Sequence, residues 1–407
     1  MLSMLKSYLV RRLITGSAAF GLLVGTSPGA RADWRVGRPV GGPVNATAVT
    51  LSPVGELTLA DGTKLPAAAW HGLRRTAVPL AESPVSVSVV RFANGDRITG
   101  RLLDSDGTTA RVRPAFANVP DATVTVPLSS VAAYLARVPA DEEMADFRAK
   151  SRSRDVIVNR RGDRFLGSVA AVDDAGFRLQ DGAKTTVVER ASVAAVWFST
   201  DLARVRKPKG RYYRVCLVDG TRWAVAGVSL DATTATLSTF GKETITAAIN
   251  DVIAVDVEQG PAVSLSDLKP AEEAYQPFDH ETRMGQFDRN SLGRPLRLSE
   301  FGGVSVYGRG VGLSGGLTLT YDMAGKYKLF EATAGLDARY GNRGDVTLRI
   351  LKDGQSVMLP DSGRVGSVPR EIGIDVSNCK TLTISVERGR RPGVEEVVNL
   401  VNAKLIP

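Results

Sequence analysis

Ser88-VVRFANGDRITGRLLDSD-Gly107 alternates apolar and polar residues on both sides of an Asn-Gly-Asp turn, the pattern of two antiparallel strands joined as a hairpin. The pattern returns in Asp155-VIVNRRGDRFLGSVAAVDDA-Gly176 and in Tyr213-RVCLVDGTRWAVAGVSLD-Ala232. Each copy is followed by a second half of further short strands, such as Phe177-RLQDGAKTTVVERASVAAVWF-Ser199. About five period-2 strands in a unit of roughly 50 residues must close on themselves or pair their edges to bury one face. Repeats 1 (86–137), 2 (154–200) and 3 (212–259) are therefore expected as small SH3- or Sm-like β-barrels, and 33–85 as a degenerate half repeat. The turn glycines Gly95, Gly162 and Gly220 supply positive φ, and the following Asp bonds the turn amides. A ligand or cation site in Asp96 and Asp163 competes less well, because repeat 3 has Thr221 there. A repeated array without a repeated reactive group points to scaffold or binding work.

Composition agrees with many short strands. The 407 residues include 41 glycines and 20 prolines, and 43% are hydrophobic, as in ordinary globular proteins. His71 and His280 are the only histidines and Cys216 and Cys379 the only cysteines, which excludes poly-histidine and four-cysteine metal sites. No cofactor motif is present, and a structural calcium has no support. The two cysteines fall in different expected domains and read as free thiols.

Lys6, Arg11 and Arg12 precede the apolar run Leu13–Val24, and Ala30-Arg31-Ala32 ends in a small-residue cleavage pattern. Residues 1–32 therefore read as a secretory signal peptide, with an exported, periplasmic or extracellular chain and no transmembrane helix after cleavage. Much of the formal net charge of +9 lies in that signal, and an exported chain does not meet genomic DNA, so no nucleic-acid partner is expected. Residues 138–153 read as a helical linker. The cations from Arg204 to Arg214, centred on a basic linker at 201–211, read as solvated, with an anionic polymer or lipid head group as the alternative. Trp197 and Trp223 lie on strand patterns and read as packing residues. Residues 260–290 read as a linker, and its Asp279-His280-Glu281 as solvated rather than as a metal or acid–base cluster.

From 291 to 407 regular alternating strands predict a β-sandwich, making the whole chain all-β: tandem small barrels followed by a jelly roll. Tyr307-GRGVGLSG, Leu319-TYDM, Tyr327-KLFEATAGLD, Val346-TLRILKDG, Ile374-DVSNCKTLTISV and Asn402-AKL carry a resemblance. In order and spacing they resemble the successive blocks of the carbohydrate-binding module named for glycosyl hydrolase family 98 (NPCBM), a galactose-binding-like jelly roll. The resemblance implies sugar binding. The family's usual histidine in the first block is replaced by Ser314, and acid, Trp and acid in the last block by Asn399, Leu400 and Asn402. The expected carbohydrate-binding residues are Tyr307, Ser314, Asp337, Arg339, Tyr340, Asn399 and Asn402. All four tryptophans lie before this domain, so a sugar there cannot stack on indole.

The expected function is an exported, non-catalytic protein that binds an envelope or extracellular polysaccharide through its C-terminal sandwich. The alternative is a structural scaffold with an envelope protein partner and a degenerate sugar site. An enzyme is the third class: no motif places two of the 43 acids together as acid and base.

Overall fold

The computed structural model describes residues 34–39, 43–76, 88–136, 152–201, 208–260, 262–277, 284–300, 303–340, 344–389 and 396–407. The signal sequence, the body of the linker helix, Arg204 to Lys207 and the Asp279-His280-Glu281 cluster lie outside the described residues.

In repeat 1, Val89–Phe92 pairs with the long strand Arg97–Ser105, which turns to pair with Thr109–Pro114, and that strand pairs with Val124–Pro127. A 3-10 turn, Leu128–Ser130, then sends Val131–Leu135 back to pair with the first strand. Repeats 2 and 3 follow the same order, with 3-10 turns at Arg190–Ser192 and Ile249–Asp251. Residues 34–76, read as half a unit, hold six strands and the equivalent turn, Ala67–Ala69, before a return strand Gly72–Arg75 that pairs with Trp34–Gly37.

Separately closed barrels are not established: the units join edge to edge in a 16-stranded sheet, in the spatial order repeat 2, repeat 1, repeat 3, N-terminal segment, and strands of repeat 3 and of the N-terminal segment also share a six-stranded sheet in which Leu230 stands opposite Leu51. The physical reason is that each small sheet leaves unpaired backbone at its edge, and a neighbouring unit supplies the missing hydrogen bonds. Like joins like. Return strand Val131–Leu135 pairs with return strand Val193–Trp197, and Val252–Glu258 with Gly72–Arg75. At the middle seam the second strands meet, Arg97 opposite Arg222. There the Ala224 amide donates to Asp96 Oδ2 at 2.9 Å, and the Thr99 amide donates to Thr221 Oγ1 at 3.0 Å. Asp96 and Thr221 occupy the same place in their repeats, so each turn residue clasps the partner's strand. One apolar core, from Trp34 to Val257, runs through all four units.

Paired register places Arg91, Arg97, Arg222, Cys216, Ala254, Arg74 and Arg35 in a single row across seven strands. Directly opposed residues share a face. Taken strand by strand, this row reads as the solvent side of an alternating pattern. The sandwich covers part of it: the Arg74 guanidinium lies 4.9 Å from the Tyr307 ring, Lys404 pairs with Asp256 at 2.7 Å, and Arg35 pairs with Glu371. Arg309 joins Asp288 at 2.7 Å, also bonds Asp267, and reaches Glu258 of repeat 3. The interface is thus built from charge pairs rather than from an apolar seam.

Arg211 and Arg214 are not solvated, as the basic stretch had suggested. Arg211 lies against Trp70 and Tyr213, and Arg214 is buried between Asp96 (3.0 Å) and Glu258. Their segment runs into the strand Tyr212–Leu217, which brings Arg214 to the cavity shared with Asp288 and Arg309 of the sandwich. Trp197 and Trp223 are buried, and Cys216 and Cys379 are free.

The C-terminal domain packs two sheets around a core that includes Leu313, Tyr321, Phe330, Ile350, Ile384 and Leu400. One sheet holds Gln286–Phe287, Gly310–Ser314, Val397–Ile406, Leu329–Leu336 and Arg370–Asp375. The other holds Glu272–Tyr275, Leu317–Asp322, Thr381–Arg388, Val346–Lys352 and Gln355–Ser356. The domain begins earlier than expected: Val263–Ser264 pairs with the last strand, Glu272–Tyr275 extends the second sheet, and Leu265 is core. Residues 262–277 are therefore sandwich and not linker. The hairpin Leu296–Glu300 with Gly303–Tyr307 lies over the outer face of the first sheet, where Leu296, Leu298 and Tyr307 pack on Val401.

Candidate functional site

The loops at one end of the sandwich are held by a buried carboxylate. Asp337, 1% exposed, follows the strand Leu329–Leu336 and accepts from Asn290 Nδ2 at 3.0 Å and Asn399 Nδ2 at 2.9 Å. Its other oxygen accepts from the Arg339 amide at 3.1 Å, and its carbonyl from the Tyr340 amide at 2.9 Å. The Asn399 carboxamide also donates to the Arg297 carbonyl at 2.9 Å, so one knot ties four segments together. Burial pushes the Asp337 carboxyl above the ordinary carboxylate range, against the lowering effect of the two asparagines. Asp337 and Asn399 therefore position the loop and do not meet solvent. Arg339 is exposed and Tyr340 half-buried at its rim.

Ser314 ends the strand Gly310–Ser314 opposite Val397, whose carbonyl accepts the Asp337 amide, so it lies at the same end of the domain. Its hydroxyl is buried without a hydrogen-bond partner, as is Asn399 Oδ1. Buried polar atoms of this kind call for water or a ligand group. The other two expected residues are elsewhere. Tyr307 is buried beneath Arg74, and Asn402 is the extra residue of a β-bulge, at φ 50°. The bulge shifts the inward set from Val398 and Leu400 to Ala403 and Leu405, and asparagine tolerates the left-handed backbone. The structure thus brings Ser314, Asp337, Arg339, Tyr340 and Asn399 together and separates Tyr307 and Asn402 from them.

Among the described residues three cavities open where the repeats meet the sandwich: one of about 430 Å³ around Arg214, Glu258 and Arg309, and two others. The smaller, about 280 Å³, has Asn402 on its wall, and His71 Nε2 faces Glu331 across it at 3.3 Å. The larger, about 480 Å³, lies between repeats 1, 2 and 3 and the sandwich and takes five arginines into its wall: Arg91, Arg97, Arg152, Arg222 and Arg289. Sequence reasoning missed this cluster. Its signal is the recurrent arginine one residue after the turn: Gly-Asp-Arg97, Gly-Asp-Arg164 and Gly-Thr-Arg222. Among the described residues no group of three or more His, Cys, Asp or Glu could hold a metal ion, and no helix is long and apolar enough to cross a membrane.

Residues 262–406 match the family described as the NPCBM/NEW2 domain. This part of the chain is an NPCBM/NEW2 domain. The NPCBM/NEW2 domain takes in the segment 262–277 that the strand pairing assigns to the sandwich. No curated protein matches the chain. Among solved structures, the chain is similar to the CBM51 of a Clostridium perfringens GH95 protein in complex with methyl-galactose. That likeness is 21% in identity, covers 35% of this chain and 99% of the other, and has a TM-score of 0.31. The CBM51-2 and INT domains of Clostridium perfringens ZmpB, with GlcNAc, are 18% identical over 44% of this chain and 37% of theirs, with a TM-score of 0.32. The tandem CBM51 modules of Sp3GH98, a family 98 glycoside hydrolase from Streptococcus pneumoniae SP3-BS71, are 12% identical, covering 86% and 87%, with a TM-score of 0.32.

Proposed function

We propose that the chain is an exported, non-catalytic carbohydrate-binding protein whose NPCBM/NEW2 domain recognises an envelope or extracellular polysaccharide. The match of 262–406 to that domain carries the reading. The loop end suits it: a rigid knot beneath displays Arg339 and Tyr340, and Ser314 keeps an unsatisfied hydroxyl close by. Recognition at loops held by a rigid scaffold is the usual division of labour in such folds. The test is retention of the full chain on a panel of immobilised neutral glycans. Arg339→Ala/Tyr340→Ala should weaken retention tenfold or more without lowering the melting temperature, and a wild-type chain that binds no glycan ends the reading.

A strand edge favours a second reading, that of a scaffold with an envelope protein partner. Among the described residues Lys184–Glu189 ends the long sheet with no strand on its outer side, and Val187 is 56% exposed. A partner that co-purifies equally with the Arg339→Ala/Tyr340→Ala variant, and is lost with Val187→Lys, would support it.

A further inference from the structure

We propose that the cleft between the three repeats and the NPCBM/NEW2 domain is an oxyanion site that takes the carboxylate or sulfate of an acidic saccharide. It stands apart from the loop end and does not depend on sugar binding there.

Charge carries the argument first. Five arginines line the cleft beside two carboxylates, Asp96 and Asp288. Both acids are already engaged by arginines outside that set: Asp96 accepts from Arg214 Nε at 3.0 Å, and Asp288 from Arg309 Nη1 at 2.7 Å. Among the described residues Arg97, Arg222 and Arg289 form no ion pair with an acid. Arg222 shows the imbalance most directly. It is 7% exposed, its Nε is buried with no hydrogen-bond acceptor, and among the described residues it forms no ion pair. Burial pushes its pKa down to about 10, with neighbouring Arg214 acting in the same direction. Asp96 and Asp288 act against that shift without pairing with Arg222, and an anion at its unpartnered Nε would offset the desolvation that remains.

Shape supports the same reading. Arg222 stands opposite Arg97 at the middle seam, with Arg91 next in the row. Gly308 of the sandwich covers Arg222 so closely that a methyl group at 308 would overlap its guanidinium. The side chain is thus held in place before any ligand arrives. Guanidinium forks match the paired oxygens of carboxylate and sulfate, and pre-ordered ones lose little freedom on binding. A volume of about 480 Å³ falls in the range of small-ligand sites, about 300–1,000 Å³, and exceeds what a bare ion fills. Of the four rings at the wall, Phe92, Trp197 and Tyr307 are buried and Phe287 is half-buried, so arginines rather than stacked rings dominate the surface offered to a ligand.

The test is calorimetric titration of the full chain with trigalacturonate, neutral galactose, sodium sulfate and an oligothymidylate, at low and physiological salt. Trigalacturonate should bind, more weakly as salt rises, and at least tenfold more weakly to Arg222→Gln. Arg222→Lys should recover part of the loss. Arg289→Gln, at an exposed position, should weaken binding several-fold and guards against misfolding of the buried variant. Failure of trigalacturonate to bind the wild type, or equal binding by both glutamine variants, overturns the proposal. Sulfate binding without trigalacturonate binding overturns the saccharide assignment, as does equal, Arg222-dependent binding of oligothymidylate. Galactose should be indifferent to Arg222→Gln, so loss of neutral-sugar binding alone counts against the loop-end reading and not against this one.

Discussion

Asp96→Ala should loosen the joint between repeats 1 and 3 more than any other single change at that seam. The carboxylate is 1% exposed and accepts from Arg214 Nε, the Ala224 amide and Asn94 Nδ2 at 3.0, 2.9 and 2.8 Å. Its removal leaves Arg214 buried with Glu258 as its remaining close acid and strands the Ala224 amide. Breaking a buried ion pair costs about 3–5 kcal/mol. An orphaned buried amide costs about 1–3 kcal/mol. Because the two losses share one network they do not add fully, and about 4–6 kcal/mol is expected. Unfolding entropy of about 2.1 cal/mol/K per residue over the Ala32–Pro407 body is roughly 0.8 kcal/mol/K, so the melting temperature should fall by roughly 5–8 °C. Asp96→Asn keeps an acceptor for Ala224 while losing the charge, and should fall about half as far. Differential scanning calorimetry of the three proteins decides the matter. A loss for Asp96→Ala within about 1 kcal/mol of wild type would refute the view that the turn residue clasps its neighbour.

Lys404→Met should cost about 3–5 kcal/mol by leaving Asp256 buried, while Lys404→Met/Asp256→Leu should recover most of it; urea midpoints of the two variants compare them. Burial works to raise the Asp256 pKa, but Lys404 and Arg74 overcome it and hold the carboxyl below its ordinary range. Its stabilisation is therefore present above the unfolded value of about 3.9 and lost as pH falls below it, and that acid-induced loss should shrink in Lys404→Met when melting is followed down the pH scale. Asp337 has the opposite sign. Its folded pKa is raised, so the folded state holds the proton longer, and wild type should lose stability relative to Asp337→Asn as pH rises from about 4 through the folded value; a constant difference in melting temperature with pH would count against it. Gly308→Ala should displace Arg222 and lower the melting temperature, read by calorimetry, with the loss relieved in Gly308→Ala/Arg222→Ala.

Period-2 alternation identifies strands and says which residues share a face, and it carried the fold class, the repeats and the sandwich strands. It does not say what covers a face. Arg35, Arg74, Arg97 and Arg222 occupy the polar phase of their strands and read as solvated, yet the sandwich docks over that side and buries Arg222. The Gly-Asp turn was legible as a turn, but Asp96 as a clasp was not, because its partner Ala224 is distant in the chain. Asp337 was legible as a loop residue after a strand. Its burial depends on Asn290, which the sequence reading left in a linker. Asn402 matched the family's last block while its backbone role, the extra residue of a bulge, leaves no trace in side-chain pattern.

The seams between repeats join return strand to return strand and second strand to second strand. Self-complementary joints of two kinds therefore alternate along the four units. Removing one interior unit would bring two unlike edges together, whereas removing both interior units, which share a joint, brings two like edges together. Interior units can therefore be lost or gained only by twos, whereas a unit at either end can be lost singly, a counting rule that bears on deletion variants and on any lineage of duplications alike.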